Sequence, residues 1–108
     1  MSSVPDVYES AVDPSGRRGA VFERDDDTAF FYLFDLSRED GDQIVEAFNA
    51  HSLTSAPAGA HVSIRWSPAG EAVGLFVDDD LVALFDLRNE RQEPRWATDV
   101  DNSLFAIH

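Results

Sequence analysis

Ala29-Phe30-Phe31-Tyr32-Leu33-Phe34-Asp35-Leu36 is the stretch on which the fold turns. In an extended chain, Phe30, Tyr32, Phe34 and Leu36 fall on one face, and Phe31 and Leu33 on the other. A strand that is apolar on both faces is central and covered on both sides. Residues 81–87, Leu-Val-Ala-Leu-Phe-Asp-Leu, have the same character. Two such strands need two layers of cover, and that requirement constrains every other segment.

Working outward, Ala20-Val21-Phe22-Glu23 reads as a strand and Asp25-Asp26-Asp27 as its turn. His61 to Trp66 alternates, with Val62, Ile64 and Trp66 on one face and His61, Ser63 and Arg65 on the other. Ser67-Pro68-Ala69-Gly70 is a turn with Pro early and Gly last. Residues 72–77, the turn Asp78-Asp79-Asp80 and residues 81–87 complete an antiparallel meander. Pro94-Arg95-Trp96-Ala97 adds an edge strand. Asp101 or Asn102 caps a short terminal helix through Ser103-Leu104-Phe105, unless that segment is a last strand. One helix is predicted over residues 40–50. Asp40 is its cap, Gln43 completes a capping-box-like pair, and Ile44, Ala47 and Phe48 form its stripe at i, i+3, i+4. Ser37 is an alternative cap, and residues 52–60 read as a surface loop.

These pieces predict an α+β fold: a twisted antiparallel sheet of about five or six strands with the 40–50 helix packed on one face. At 108 residues the chain holds one domain. Residues 1–18 are expected as a loose arm, with a short strand at Val7-Tyr8 as an alternative, before a single domain over 19–108. The second sheet face is left to that arm, to the C-terminal segment or to a dimer mate.

Two segments resemble each other. Phe22 to Asp27 followed by Leu33-Phe34-Asp35-Leu36 matches Phe76 to Asp80 followed by Leu84-Phe85-Asp86-Leu87. The gap between acidic triplet and Leu-Phe-Asp-Leu differs by two residues, so period-two alternation predicts that matching residues keep their faces. Duplication and convergence of acidic turns with apolar strands both fit.

Composition narrows the partners. There are 21 Asp+Glu against 8 Lys+Arg, every cation is Arg, and the net charge is -13. Such a surface repels phosphate backbones and anionic membranes, so neither nucleic acid nor membrane is an expected partner, whereas a basic protein is attracted. Solubility, adaptation to high salt and a functional acidic face all account for the charge. No run approaches 18 apolar residues, and Met1-Ser2-Ser3-Val4-Pro5-Asp6 lacks the basic start and apolar stretch of a secretory signal, so a cytoplasmic protein is expected. With no Cys, disulfides, thiolate metal sites and cysteine nucleophiles are excluded.

Residues 20–28 (AVFERDDDT), 62–70 (VSIRWSPAG), 74–77 (GLFV) and 83–87 (ALFDL) carry a resemblance in order and spacing. The chain resembles the small bacterial family known as domain of unknown function 2251. That family's pattern runs through a "VFEDDG.T" hairpin, a helix, a "V.IVWS.DG" hairpin and "A.L.I.....AVFDF". Here Asp27 stands where the family has Gly, and Pro68-Ala69-Gly70 replaces an acidic-Gly turn. The likeness covers roughly residues 19–88. It implies a fold and no chemistry, since its motifs are turns and core positions.

Candidate sites are few. Asp35 and Asp86 occupy matching strand ends, and as neighbours they would make an acid/base or metal-binding dyad. Solvation, or an Arg beside each, is the plainer account. The acidic triplets lack the alternating ligands, Gly and distal Glu of a calcium loop and read as turns. His51, His61 and His108 show no metal-ligand spacing. There is no nucleophile elbow and no phosphate loop. No metal or cofactor is therefore expected. Trp66, Trp96 and Arg65 are candidate interface residues, because a half-exposed Trp beside Arg anchors many interfaces. Trp66 also fits a core, sharing a face with Val62 and Ile64.

Three functions follow as expectations. The first is a non-enzymatic acidic binding module, in its sharpest form an immunity- or inhibitor-type protein for a basic partner. The second is a carboxylate- or metal-dependent enzyme using Asp35 and Asp86. The third is a structural homodimer subunit.

Overall fold

The computed structural model describes residues 7–25, 27–39, 41–51, 53, 60–88 and 94–106. It contains eight strands in two four-stranded antiparallel meanders. The first sheet is β1 (Val7–Val12), β2 (Arg18–Arg24), β3 (Ala29–Asp35) and β4 (Ile44–Asn49). The second is β5 (Val62–Trp66), β6 (Ala72–Val77), β7 (Asp80–Asp86) and β8 (Pro94–Trp96), followed by a 3-10 helix, η1, at Asp99–Phe105. Inward side chains of both sheets form one core, with Phe22, Phe31 and Leu33 on one side and Val73, Leu75 and Phe85 on the other. The rings of Phe31 and Phe85 meet across it at 4.8 Å.

The architecture corrects the α+β expectation of a single five- or six-stranded sheet carrying one helix. The strands read at 20–23, 29–36, 62–66, 72–77 and 81–87 are present, but they belong to two packed sheets. The predicted 40–50 helix is strand β4, paired with β3 from Asn49 opposite Phe30 to Ile44 opposite Phe34. A β-bulge explains the error. Leu33 faces Glu46 and Phe34 faces Ile44, so Val45 is an extra residue. An extra residue lets side chains three apart share a face, which in sequence imitates a helical stripe. Ile44 and Ala47, two of the three stripe residues, both lie on the outward face opposite Phe34 and Tyr32, Ile44 at 54% exposure, whereas Phe48 packs on the core with Val45. Gln43 makes no capping box: its carbonyl accepts from the Asp35 N–H at 2.8 Å, and its side chain donates to the Arg38 carbonyl. Asp40, the expected cap, lies outside the described residues.

Residues 7–12, placed by sequence in an N-terminal arm, form β1 in unbroken register with β2. The rest of that arm that is described, residues 13–18, is mainly a turn built on buried Asp13. Asp13 accepts from the Ser15 hydroxyl and from the backbone N–H groups of Arg17 and Arg18. Ser67 builds the equivalent turn between β5 and β6, accepting through Oγ from the N–H groups of Glu71 and Ala72. Both turns carry Pro second and a positive-φ glycine fourth, Gly16 at 77° and Gly70 at 72°.

The two sheets are one pattern used twice. Val12 pairs with Gly19, Ser10 with Val21 and Tyr8 with Glu23; in the second sheet Trp66 pairs with Val73, Ile64 with Leu75 and Val62 with Val77. The sheets also stack in the same orientation. The two Pro-containing turns lie at the same end, where the Arg18 guanidinium donates to the Gly70 carbonyl at 3.2 Å. β1 lies beside β5, where the Trp66 indole donates to the Ala11 carbonyl at 3.1 Å, and β4 lies beside β8, where Phe48 meets Trp96 at 4.8 Å. Copies stacked by translation present opposite faces to the layer between them. The face turned outward in the first sheet is therefore the face turned inward in the second.

Matching residues of the Leu-Phe-Asp-Leu segments accordingly exchange faces, against the sequence expectation. Leu33 and Phe85 lie in the shared core, whereas Leu84 is buried outside it. The exchange comes from the stacking: Leu33 opposite Ala20 and Leu84 opposite Gly74 hold the same place in their sheets, whose inward faces are opposite, and the bulge that leaves Val82 extra lies on the turn side of Leu84.

The outer face of the second sheet is sealed by η1. Phe105 meets Phe76 edge-on at 5.3 Å above Gly74. A Cβ on Gly74 would stand 2.6 Å from Leu81 Cδ1 and 2.8 Å from Phe105 Cζ, so only glycine lets the helix sit this close. Gly74→Ala is expected to lower the unfolding free energy by about 1–3 kcal/mol through overpacking, with faster proteolysis of the C-terminal segment. Urea titration with limited proteolysis checks this, and an unchanged midpoint would show that the helix does not depend on that approach.

Candidate interaction surface

The carboxylates of the second sheet are consumed by arginine. Asp86 ends β7 on the sealed outer face and takes two bonds from Arg88, at 2.9 and 2.7 Å. Arg95 lies 3.6 Å away on its other side. Arg95 in turn grips Asp101 of η1 with two bonds, at 2.5 and 2.7 Å. Asp101 also accepts from Thr98, whose hydroxyl and N–H begin the helix. The result is a chain of charges, Arg88–Asp86–Arg95–Asp101, that clamps the helix to β7 and β8. The bonds from Arg88 hold Asp86 down at about 2 against the opposing effect of burial. Those from Arg95 do the same for Asp101, also about 2.

Asp35 stands on the other sheet with partners of its own. It accepts from the Ser37 hydroxyl at 2.5 Å and the Ser37 N–H at 3.0 Å, and Arg38 lies 3.6 Å away. The Ser37 bonds lower its pKa first, with Arg38 and Arg18 adding to them. The structure thus brings Asp86 to Asp101 and Asp35 to Ser37, each carboxylate engaged separately. Among the described residues no group of three or more His, Asp or Glu is arranged to hold a metal ion.

The acidic turns are structural. Asp25 accepts from the N–H groups of Asp27 and Thr28 at 2.9 and 2.7 Å, while Asp26 lies outside the described residues. Asp78 and Asp79 have φ of 51° and 71°, the two-residue left-handed turn that suits a tight hairpin.

The three interface candidates divide. Trp66 packs against the core, bonded to Ala11 and with the Arg18 guanidinium 5.7 Å from its ring centre. It sews β5 to β1. Trp96 is 45% exposed and closes the opposite seam against Phe48. Arg65 lies over Phe76 at 4.4 Å and pairs with Asp79 on the sealed face.

Sequence reasoning missed the most prominent surface, the outer face of the first sheet. Phe30, Tyr32 and Phe34 run along β3 as a ladder of rings 5.9 and 6.1 Å apart. Val21 flanks them on β2, Tyr8 and Val12 stand on β1 at 58% and 57% exposure, and Ile44 lies on β4. A groove of about 300 Å³ runs between Tyr8, Val12, Val21, Phe34 and Leu36. Among the outward strand positions Glu23 is the sole carboxylate, and burial together with its charge raises the Tyr32 pKa. No described element covers this face. The signal was the two-sided apolarity of residues 29–36, which required a cover without saying which side would lack one.

By fold the chain is a two-layer β sandwich, with one outer face sealed and the other left open by the described residues. It belongs to the bacterial family described as an uncharacterised protein conserved in bacteria, domain of unknown function 2251, whose model matches residues 4–99. The match reaches into β1 and through β8, well beyond the segment in which the resemblance was read. No curated protein and no solved structure matches the chain. No helix among the described residues is long and apolar enough to cross a membrane.

The charge chain sets an acid limit on stability. Asp86 and Asp101 have folded pKa values of about 2 against an ordinary 3.8, so their contribution is complete above the ordinary value and is lost as pH falls from there towards 2. Urea midpoints should be flat from pH 7 to about 5 and then fall with acidification. Asp101→Asn should cost about 1–3 kcal/mol at neutral pH and flatten the acid slope. A variant profile parallel to wild type down to the acid limit would remove Asp101 from this role.

Proposed function

We propose that the protein is a non-enzymatic interaction module that works through the open face of its first sheet. One observation carries this reading: an aromatic ladder with a groove beside it is left uncovered, while the opposite outer face is sealed by a dedicated helix. Contiguous exposed apolar surface of this kind marks association sites in globular proteins. Such a surface is a liability for a lone domain, and a partner removes the liability.

The immunity- or inhibitor-type version of this module relies on an acidic face for a basic partner. The arrangement of charge favours an apolar docking surface instead. The turn and η1 carboxylates described above are bonded to backbone, to hydroxyls or to arginine, and the open face carries only Glu23 among its outward strand positions. The enzyme alternative has less support, because Asp35 is engaged by Ser37 and Arg38, and Asp86 by Arg88 and Arg95.

A photo-crosslinking amino acid at position 12 or 21, in cells that encode the protein, should give a discrete protein adduct. The same group at position 100, on the exposed side of η1, should give none, and Val12→Glu should abolish the adduct from position 21. No adduct from either face position, or equal adducts from all three, would overturn the assignment.

A further inference from the structure

The stacked duplication indicates what covers the open face. Tyr8/Glu23, Ser10/Val21 and Val12/Gly19 are the pairs that line it on β1 and β2. Their equivalents by register are Val62/Val77, Ile64/Leu75 and Trp66/Val73. In the second sheet those positions face the core, and Val62, Leu75 and Val73 are buried against the first sheet. The open face is therefore, position for position, the face that this architecture packs on another sheet. The reciprocal relation holds as well. The inner pairs Ala11/Ala20 and Glu9/Phe22 correspond to Arg65/Gly74 and Ser63/Phe76, outer positions where Phe105 is seated over Gly74 and Phe76. One end of a two-sheet stack is capped by a helix, and the other end lacks its next layer.

We propose that the missing layer is the first sheet of a second copy, open face against open face about a two-fold axis. This deepens the reading above by naming the partner, and it rests on that reading. Symmetry leaves one arrangement. Head-to-tail stacking would set the open face of one copy on the second sheet of the next, and η1 occupies that surface. With it closed, only the self-complementary pairing remains, and that pairing ends after two copies rather than growing into a fibre. Charge agrees. Two chains of net charge -13 repel over most of their surface, and their outer strand positions on this face carry a single carboxylate each, Glu23.

Size sets the strength. Four strands about 4.8 Å apart and six or seven residues long make a face roughly 20 Å on a side. With its rim, the pairing buries on the order of 1,000 Å² in total, at the low end for specific assemblies. Association is thus expected in the micromolar range, strengthened by salt that screens the like charge.

Sedimentation equilibrium of the full chain, from about 1 to 200 μM, tests this. Wild type should pass from monomer to dimer with no higher species, and the transition should move to lower concentration as salt rises. Val12→Glu and Val21→Glu should weaken dimerisation at least tenfold while keeping the wild-type far-UV spectrum. Tyr8→Ser, a milder change on the edge strand, should weaken it several-fold, covering the case in which a buried charge unfolds the sheet. Val100→Glu, on the 78% exposed position of η1, should leave the dimer intact. A wild type that stays monomeric throughout, a dimer indifferent to positions 8, 12 and 21, or one broken by Val100→Glu would overturn the second-copy assignment. If wild type is monomeric while position 21 still crosslinks a different protein, the interaction-module reading stands and only the identity of the partner fails; a monomer without adducts sinks both.

Discussion

The contact of Phe31 with Phe85 fixes the plan of the molecule. Each sits on the central apolar strand of its sheet, and each strand is apolar on both faces. Packing them against each other satisfies one face of each and leaves two outer faces without cover. In the second sheet that need is met locally. Gly74 gives up its side chain so that Phe105 can approach, and the Arg95–Asp101 pair holds the helix in place. Asp101 is buried while Arg95 is part-exposed, and the bonds between them outweigh the desolvation that opposes them. In the first sheet the same need is left standing.

Much of this fold was legible. Alternation placed most strands of the core, and the acidic doublet at Asp78-Asp79 gave a hairpin turn where Asp tolerates positive φ. What misled is physically specific. A bulge at Val45 produced the three-residue spacing of Ile44 and Ala47 on one face, which single-sequence periodicity cannot separate from one turn of helix. The stacking of the two sheets in one orientation set Leu84 and Phe85 on faces opposite to those of Leu33 and Phe34 relative to the core, although their registers match. Bulges have no sharp sequence signature, because any residue that tolerates the local kink can supply the extra position. The Pro-containing turns at Asp13 and Ser67 were the better marker of the repeat. Their Pro and Gly positions are set by backbone geometry rather than by which face is buried.

The candidate site was legible only as an obligation. The sequence required a second cover over residues 29–36, and nothing local to that segment says whether chain or partner provides it. The charged residues singled out by sequence proved to be fastenings. Asp86 holds Arg88 and Arg95, Asp35 holds Ser37, and Asp25 closes a turn. A strongly acidic composition drew attention to carboxylates, while the surface least furnished with them is the one left for binding.

Edge strands sharpen the point. Side chains join the edge strands of the two sheets: the Trp66 indole ties β5 to the Ala11 carbonyl of β1, Arg18 reaches the Gly70 carbonyl, and Phe48 meets Trp96 between β4 and β8. On the open face the ring ladder of β3 sets geometry and a single carboxylate per copy sets the charge. A face of that kind discriminates by chemistry: it fits an apolar surface and rejects the acidic surface that a chain of net charge -13 presents elsewhere. Self-recognition then needs no further specificity device, because the sealed second sheet has already removed the one competing surface built on the same pattern.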